Sequence, residues 1–146
     1  MSRGQSKHGV IFLIDKDSET IRLTREALSE STKNVGLHTL ETEGQVSTFL
    51  ERDKASGEAA RPSLILLHLA DTLGYKLLTR LKTCPSLKLI PTVVLSPSLK
   101  HEDITLAYDL HANCYIPKPP EAKQFKEVIS VTVQYWFDIA KLPALS

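Results

Sequence analysis

The sequence feature that most limits the fold is a short apolar run in the middle of the chain. Five of the six residues from 64 to 69 are aliphatic, and His68 interrupts them. Pro62 lies just before the run, and Asp71 and Thr72 follow it. A run this short between such neighbours is typical of a β-strand buried on both faces, like the central strands of parallel sheets. Open parallel sheets bind ligands beyond the carboxyl ends of their strands, so His68 is predicted to lie where the protein does its chemistry.

Length and composition predict one globular domain. The chain has 146 residues, of which 42% are hydrophobic and 24% charged, and its formal net charge is +1. This charge gives no reason for bulk attraction to nucleic acid, and no apolar stretch approaches the roughly 18 residues of a membrane helix. Residues 1–8 lack the apolar core of a signal peptide. We therefore expect a cytoplasmic protein with no nucleic-acid or membrane partner, in which Cys84 and Cys114 are reduced.

Short apolar runs alternate with stretches of helical periodicity along the chain. The predicted strands cover residues 9–14, 35–40, 64–69, 90–95 and 113–116. The predicted helices cover residues 18–31, 43–54, 73–82, 101–111 and 121–141. This order is typical of parallel βαβ units, so we expect an α/β fold: a single doubly wound five-stranded parallel sheet with five helices. The expected domain spans residues 9–141, between a flexible N-terminal tail (1–8) and a C-terminal tail (142–146).

Polar residues stand at the ends of four of the five predicted strands. Asp15 and Lys16 follow the first strand, and His68 lies at the end of the third. Ser96 follows the fourth strand and Lys118 comes just after the fifth. These positions meet in one crevice if the strand order is 2-1-3-4-5, because the carboxyl ends of parallel strands share one edge of the sheet.

Five segments together carry a resemblance to a known family. They are residues 21–28 (IRLTREAL), 64–67 (LILL), 90–96 (IPTVVLS), 112–119 (ANCYIPKP) and 135–143 (YWFDIAKLP). The chain resembles the receiver domain of response regulators, which act in two-component signal transduction and phosphorelays and have a flavodoxin-like fold. Within this family it is most similar to the small cyanobacterial regulators that partner phytochrome-type histidine kinases. The last segment is the most specific to that group.

The resemblance implies a role for each residue of the crevice. In the family, two acidic residues after strand one and an aspartate ending strand three hold Mg²⁺, and that aspartate accepts phosphate from a kinase histidine. A Ser or Thr and a Lys bind the phosphoryl oxygens, and an aromatic residue on strand five swings inward on activation. Asp15 matches the first acid, Ser96 the hydroxyl, Lys118 the lysine and Tyr115 the switch aromatic.

Two positions depart from the family pattern. Lys16 stands where the second acid belongs, and His68 stands where the phospho-accepting aspartate belongs. The formal charge of the pocket changes from about −2 to about +1 with His68 neutral, and Mg²⁺ prefers carboxylate oxygens. We therefore expect a degenerate phospho-acceptor pocket in a pseudo-receiver that is not an enzyme, needs no metal or cofactor and is not phosphorylated on aspartate.

The residues themselves leave several uses of the crevice open. The Lys16 ammonium could replace the metal by pairing with Asp15, with His68 bonded to Asp15 or Ser96. His68 could equally be a satisfied polar residue without function, or a pH switch.

Other uses of the crevice depend on a ligand. A metal site could use Asp15 and His68 together with Asp17 and Asp71. A nonstandard residue, Asp17 and Asp71 included, could accept a phosphoryl group, and the positive crevice could bind an anion or another small molecule.

The last predicted helix carries more apolar surface than one packing contact can bury. Its apolar residues cover roughly 240° of the circumference at about 100° per residue. We expect Val131, Tyr135, Phe137 and Ile139 to form an interface, and the resemblance favours a homodimer. A tail folded back onto this helix is the alternative. The expected signalling partner is a histidine kinase, of the phytochrome kind or another, or a different signalling protein.

Overall fold

The computed structural model describes residues 9–31, 34–56 and 61–143. The strands are β1 (Gly9–Ile14), β2 (Val35–Leu40), β3 (Leu64–His68), β4 (Thr92–Ser96) and β5 (Cys114–Pro117). The helices are α1 (Ser18–Ser29), α2 (Glu43–Ser56), α3 (Thr72–Thr83), α4 (His101–Asp109) and α5 (Ala122–Gln134), followed by a π-helical turn (Tyr135–Ile139). The tail predicted over residues 1–8 and the last three residues of the predicted C-terminal tail lie outside the described residues.

The five strands form one parallel sheet in the order β2-β1-β3-β4-β5. The predicted α/β fold and strand order are confirmed. The sheet registers place His68 beside Leu95 and Ser96 beside Pro117. The carboxyl ends of β1, β3, β4 and β5 therefore meet at one edge of the sheet.

Apolar side chains fill both faces of the sheet. On β3, Leu64 and Leu66 face the layer that holds α1 and α5, and Ile65 and Leu67 face the opposite layer. All four are at most 1% exposed, as predicted for a strand covered on both faces. Burying each such side chain stabilises the fold by about 1.5–3 kcal/mol.

Three helices end earlier than the sequence predicts, and the first of them, α1, ends at Ser29 rather than at residue 31. The last helix was expected to continue to Lys141, but α5 ends at Gln134 and the π-helical turn closes with a bond from the Ala140 N–H to the Tyr135 carbonyl (2.8 Å). In this turn Trp136 and Phe137 both pack against the α1–α5 side of the core.

Helix α4 ends at Asp109 rather than at the predicted His111. His111 adopts φ 75°, and its N–H donates to the Tyr108 carbonyl (2.9 Å). The next N–H, of Ala112, reaches back to the Ala107 carbonyl (3.0 Å). This pair of bonds is the Schellman motif, which requires a left-handed residue after the helix.

Candidate functional site

The five residues predicted for the crevice, Asp15, Lys16, His68, Ser96 and Lys118, all lie at the carboxyl edge of the sheet. Backbone bonds fix this edge: the Asp15 N–H donates to the Leu40 carbonyl (3.1 Å), and the Lys118 N–H donates to the Ser96 carbonyl (2.7 Å). The positions of these residues follow from the ends of the strands. The contacts of their side chains do not follow from the strand ends, and these contacts decide the chemistry of the site.

Asp15 and His68 face each other inside the crevice. The Asp15 side chain is fully buried, and its Oδ1 accepts the Asp17 N–H (2.9 Å). The distance from its Oδ2 to His68 Nδ1 is 3.5 Å. Both of these atoms are buried and have no hydrogen-bond partner within the described residues. A buried polar atom is costly without a polar group beside it, and each of these two atoms provides such a group for the other.

Lys118 is held by the first turn of α1. Its Nζ donates to Thr20 Oγ1 and lies 3.9 Å from Asp17 Oδ2. The Asp17 carboxylate caps α1 by accepting the N–H (2.9 Å) and the hydroxyl (2.7 Å) of Thr20. The hydroxyl and then the backbone bond from Thr20 hold the pKa of Asp17 below its usual value, and the charges of Lys118 and His68 lower it further.

Thr20 is the residue of the site that sequence reasoning missed. It is 1% exposed and joins Asp17 to Lys118, 98 residues further along the chain. The available signal was a threonine three residues after the aspartate that begins a helix, where its N–H meets the capping side chain.

Lys16 does not replace the metal in the way that the sequence allowed. Its side chain is exposed, and no ion pair joins it to Asp15 in the described parts of the chain. The oxygens of Asp15 instead face the Asp17 N–H and His68. Neighbouring residues of an extended segment point to opposite sides, so Asp15 turns inward and Lys16 outward.

Ser96 and Tyr115 anchor the connection between β4 and α4. Ser96 is 3% exposed, and its Oγ accepts the Ser98 N–H (3.2 Å). The hydroxyl of buried Tyr115 donates to the Ser98 carbonyl (2.9 Å), and its backbone N–H donates to the Tyr108 hydroxyl (3.1 Å). Both side chains therefore contact the same short loop.

The donor set does not fit the magnesium ion of the receiver family. Among the described residues, no group of three or more His, Cys, Asp or Glu is arranged to hold a metal. The four side chains of the alternative metal site, Asp15, Asp17, Asp71 and His68, do not form such a group. Asp17 and Asp71 instead cap α1 and α3, the latter by accepting the Gly74 N–H (3.2 Å).

The predicted interface residues divide into two kinds. Val131 (64%), Tyr135 (47%) and Ile139 (65%) are exposed, and we call these three the α5 stripe. Phe137 is half-buried and packs on the core. Within the described ranges, no helix is long and apolar enough to cross a membrane.

Comparisons with known proteins agree on one kind of relative. No family model matches the chain. It is 32% identical over 146 residues to the response regulator Rcp1 of Synechocystis sp. (strain ATCC 27184 / PCC 6803 / Kazusa), covering 99% of each chain. The crystal structure of phosphorylated RcpA, a cyanobacterial phytochrome response regulator, is 37% identical with a TM-score of 0.84, covering 94% of this chain and 99% of that one. The Mn²⁺-bound structure of Rcp1 gives 33% identity and a TM-score of 0.82, covering 93% of this chain and 99% of that one.

Proposed function

The chain belongs to the response-regulator receiver family of two-component signal transduction, and on this premise we propose that it is an atypical member that signals by protein contact without aspartyl phosphorylation. In the unmodified protein, contacts among its own side chains hold the crevice. The protein carries out no enzymatic reaction of its own in this proposal, and its output is the surface that it presents to a partner.

The observation that supports the proposal most is the contact between Asp15 and His68. In the family, this acid and the residue at the end of strand three hold a metal ion, and the latter accepts the phosphoryl group. Here the second residue is a histidine, and its Nδ1 lies 3.5 Å from the buried acid. An imidazole edge occupies the side of Asp15 that would otherwise need a cation.

The remaining charges of the crevice also have partners from the chain. The Lys118 ammonium bonds to Thr20 and lies near Asp17, as it would if no phosphoryl oxygen were its ligand. Tyr115 is already buried and bonded to the loop after β4. These contacts favour a resting state that does not depend on a metal ion or on aspartyl phosphorylation.

Metal binding with a phosphoryl analogue tests this proposal. We expect no saturable change in tyrosine or tryptophan fluorescence when Mg²⁺ and beryllofluoride are titrated together. The double variant Lys16→Asp/His68→Asp restores three carboxylates and should recover the response. Lys88→Asp, which makes the same charge change as Lys16→Asp in the connection between α3 and β4, should not. Saturable tightening of Mg²⁺ by the analogue in the unaltered protein would refute the proposal.

The surface through which the protein acts is proposed to be the α4–β5–α5 face. The α5 stripe exposes three large apolar side chains, and α4 adds Leu106 (42%) and Tyr108 (48%). The two helices pack on opposite faces of the sheet at the edge formed by β5, and exposed apolar side chains on such an edge are typical of protein–protein contacts. We propose that this face forms a homodimer and that the partner is a histidine kinase. A phytochrome-type kinase is favoured because RcpA is described as a phytochrome response regulator.

Analytical ultracentrifugation tests the homodimer. Val131→Glu combined with Ile139→Glu should convert the dimer to a monomer, because each places a charge among apolar side chains in the interface. Leu89→Glu is the matched control: Leu89 is 50% exposed in the connection between α3 and β4, so the dimer should persist. If the unaltered protein sediments as a monomer at high concentration, the proposed homodimer is refuted.

A further inference from the structure

The contact between Asp15 and His68 also bears on the reactivity of the His68 ring. We infer that His68 Nε2 accepts a phosphoryl group from N-phosphoryl donors, forming phosphohistidine at the position where the family holds its aspartate. This inference rests on the proposed function, because it needs the metal-free crevice described above. It deepens that function by giving the crevice a second chemical state.

The first step is the position of the proton on the imidazole ring. Asp15 Oδ2 is a buried carboxylate oxygen and can only accept a hydrogen bond when the carboxylate is ionised. Its polar neighbour is His68 Nδ1 at 3.5 Å. Nδ1 therefore carries the proton, since a bare nitrogen lone pair facing a carboxylate would leave both buried atoms unsatisfied. In neutral histidine this leaves the lone pair on Nε2.

The second step is the access of a donor to that lone pair. The His68 side chain is 21% exposed, whereas its Nδ1 is buried. Because the Nδ1 edge of the ring is buried against Asp15, we place the exposed part of the ring on the Nε2 side. The nucleophilic nitrogen therefore faces solvent from the end of β3, and the inner nitrogen holds the ring in place.

The third step is the charge around the incoming phosphoryl group. Lys118 and His68 both lie at the carboxyl edge of the sheet: His68 is beside Leu95 in the β3–β4 register, and the Lys118 N–H bonds to the carbonyl of Ser96. Lys118 Nζ can exchange its contact with Thr20 for a phosphoryl oxygen. In that position the ammonium stabilises the charge that the phosphoryl oxygens carry during transfer.

The transfer balances without a metal or a base. The Nε2 lone pair forms the new P–N bond while the P–N bond of the donor breaks, and that electron pair leaves on the donor nitrogen. With phosphoramidate the leaving nitrogen is already protonated, so ammonia departs. Nε2 has no proton to lose, and the Nδ1 proton stays directed at Asp15, whose carboxylate balances the positive charge of the phosphorylated ring.

Phosphoramidate is the probe, used on the full chain with Mg²⁺ present. We expect one phosphoryl group by intact mass spectrometry, located on His68 by fragmentation and assigned to Nε2 by ³¹P NMR. It should resist hydroxylamine and be lost in acid. His68→Gln should abolish this label, whereas His101→Gln, which removes an exposed histidine of α4, should retain it. A label on Nδ1 of His68 would overturn the geometric argument.

Asp15→Asn tests the positioning role of Asp15. The asparagine amide can donate to Nδ1 and so move the ring proton to Nε2, which should slow labelling by about tenfold or more. Imidazole ¹⁵N shifts should show this tautomer change in a chain whose circular dichroism is unaltered. If the labelling rate and the tautomer of His68 are both unchanged in Asp15→Asn, the positioning role of Asp15 is refuted.

Failure of the inference and failure of the proposed function give different results. If imidazole in the same solution is phosphorylated but His68 is not, and no aspartate is labelled, the inference alone fails. If a hydroxylamine-sensitive label forms on Asp17 or Asp71, aspartyl phosphorylation takes place and the proposed function fails as well.

Discussion

Lys82 offers a quantitative test of how this fold holds a buried charge. Its side chain, on α3, is 9% exposed, and Nζ donates to the carbonyls of Lys88 and Ile90, each at 2.9 Å. None of the ion pairs found in the described residues includes it. Burial lowers the pKa of Lys82 from 10.5 to about 8.

The lowered pKa makes the free energy of unfolding depend on pH. Between about pH 8 and 10.5 the unfolded chain binds a proton at this lysine that the folded chain has released, so stability rises with pH across this window. The shift corresponds to about 3 kcal/mol. Below pH 8 both states are charged, and folding carries the full desolvation cost of the ammonium.

Urea unfolding of the wild type and of Lys82→Met at several pH values measures this effect. The variant loses two hydrogen bonds, worth about 1 kcal/mol each, but no longer buries a charge. The two proteins should therefore have similar stabilities at pH 7, and the wild type should gain up to about 3 kcal/mol over the variant by pH 10.5. Other groups that titrate there, such as the thiol of Cys114, cancel in the difference. A difference that stays constant with pH would refute the reasoning.

Two further pairs of substitutions test a backbone conformation and a single hydrogen bond. His111→Gly should raise the free energy of unfolding in urea by about 0.5–1 kcal/mol, because φ 75° suits glycine, whereas His111→Val should lower it. A destabilised glycine variant would contradict this. Thr20→Val removes the hydroxyl bond that lowers the pKa of Asp17, so that pKa should rise in an NMR titration. The hydroxyl of Thr24 bonds to the Thr20 carbonyl and not to Asp17, so Thr24→Val should leave the pKa of Asp17 unchanged. An equal shift of this pKa in both variants would exclude the Thr20 hydroxyl bond as its cause.

The fold could be predicted because each strand can be recognised from its own residues. An apolar run such as Leu64–Leu67 can satisfy both its hydrogen bonds and its burial only as an inner strand, and the helices between runs then dictate parallel crossovers. The positions of Asp15, His68, Ser96 and Lys118 follow from the same pattern, since each stands where a strand ends.

The partners of those side chains could not be predicted, because they depend on rotamers and on distant residues. Lys118 finds Thr20 across 98 residues, and the sequence alone allowed Lys16 to pair with an Asp15 that in fact faces His68. The early end of α5 was hidden for a similar reason. An apolar pattern does not reveal whether Trp136 and Phe137 pack on their own core or on another molecule.

The histidine at the end of β3 lies beside the acid that precedes α1, and this supports our proposal that it is more than a remnant of a lost aspartate. Asp15 remains fully buried at the centre of the crevice, and a buried carboxylate is costly unless a cation or a hydrogen-bond donor meets it. In the receiver family a metal ion meets this need. Here Lys16 turns away, and the only ring nitrogen that faces Asp15 among the described residues belongs to His68. In the proposed function, His68 places a ring nitrogen 3.5 Å from Asp15 Oδ2, whereas an apolar side chain at this position would leave that buried oxygen without this polar neighbour.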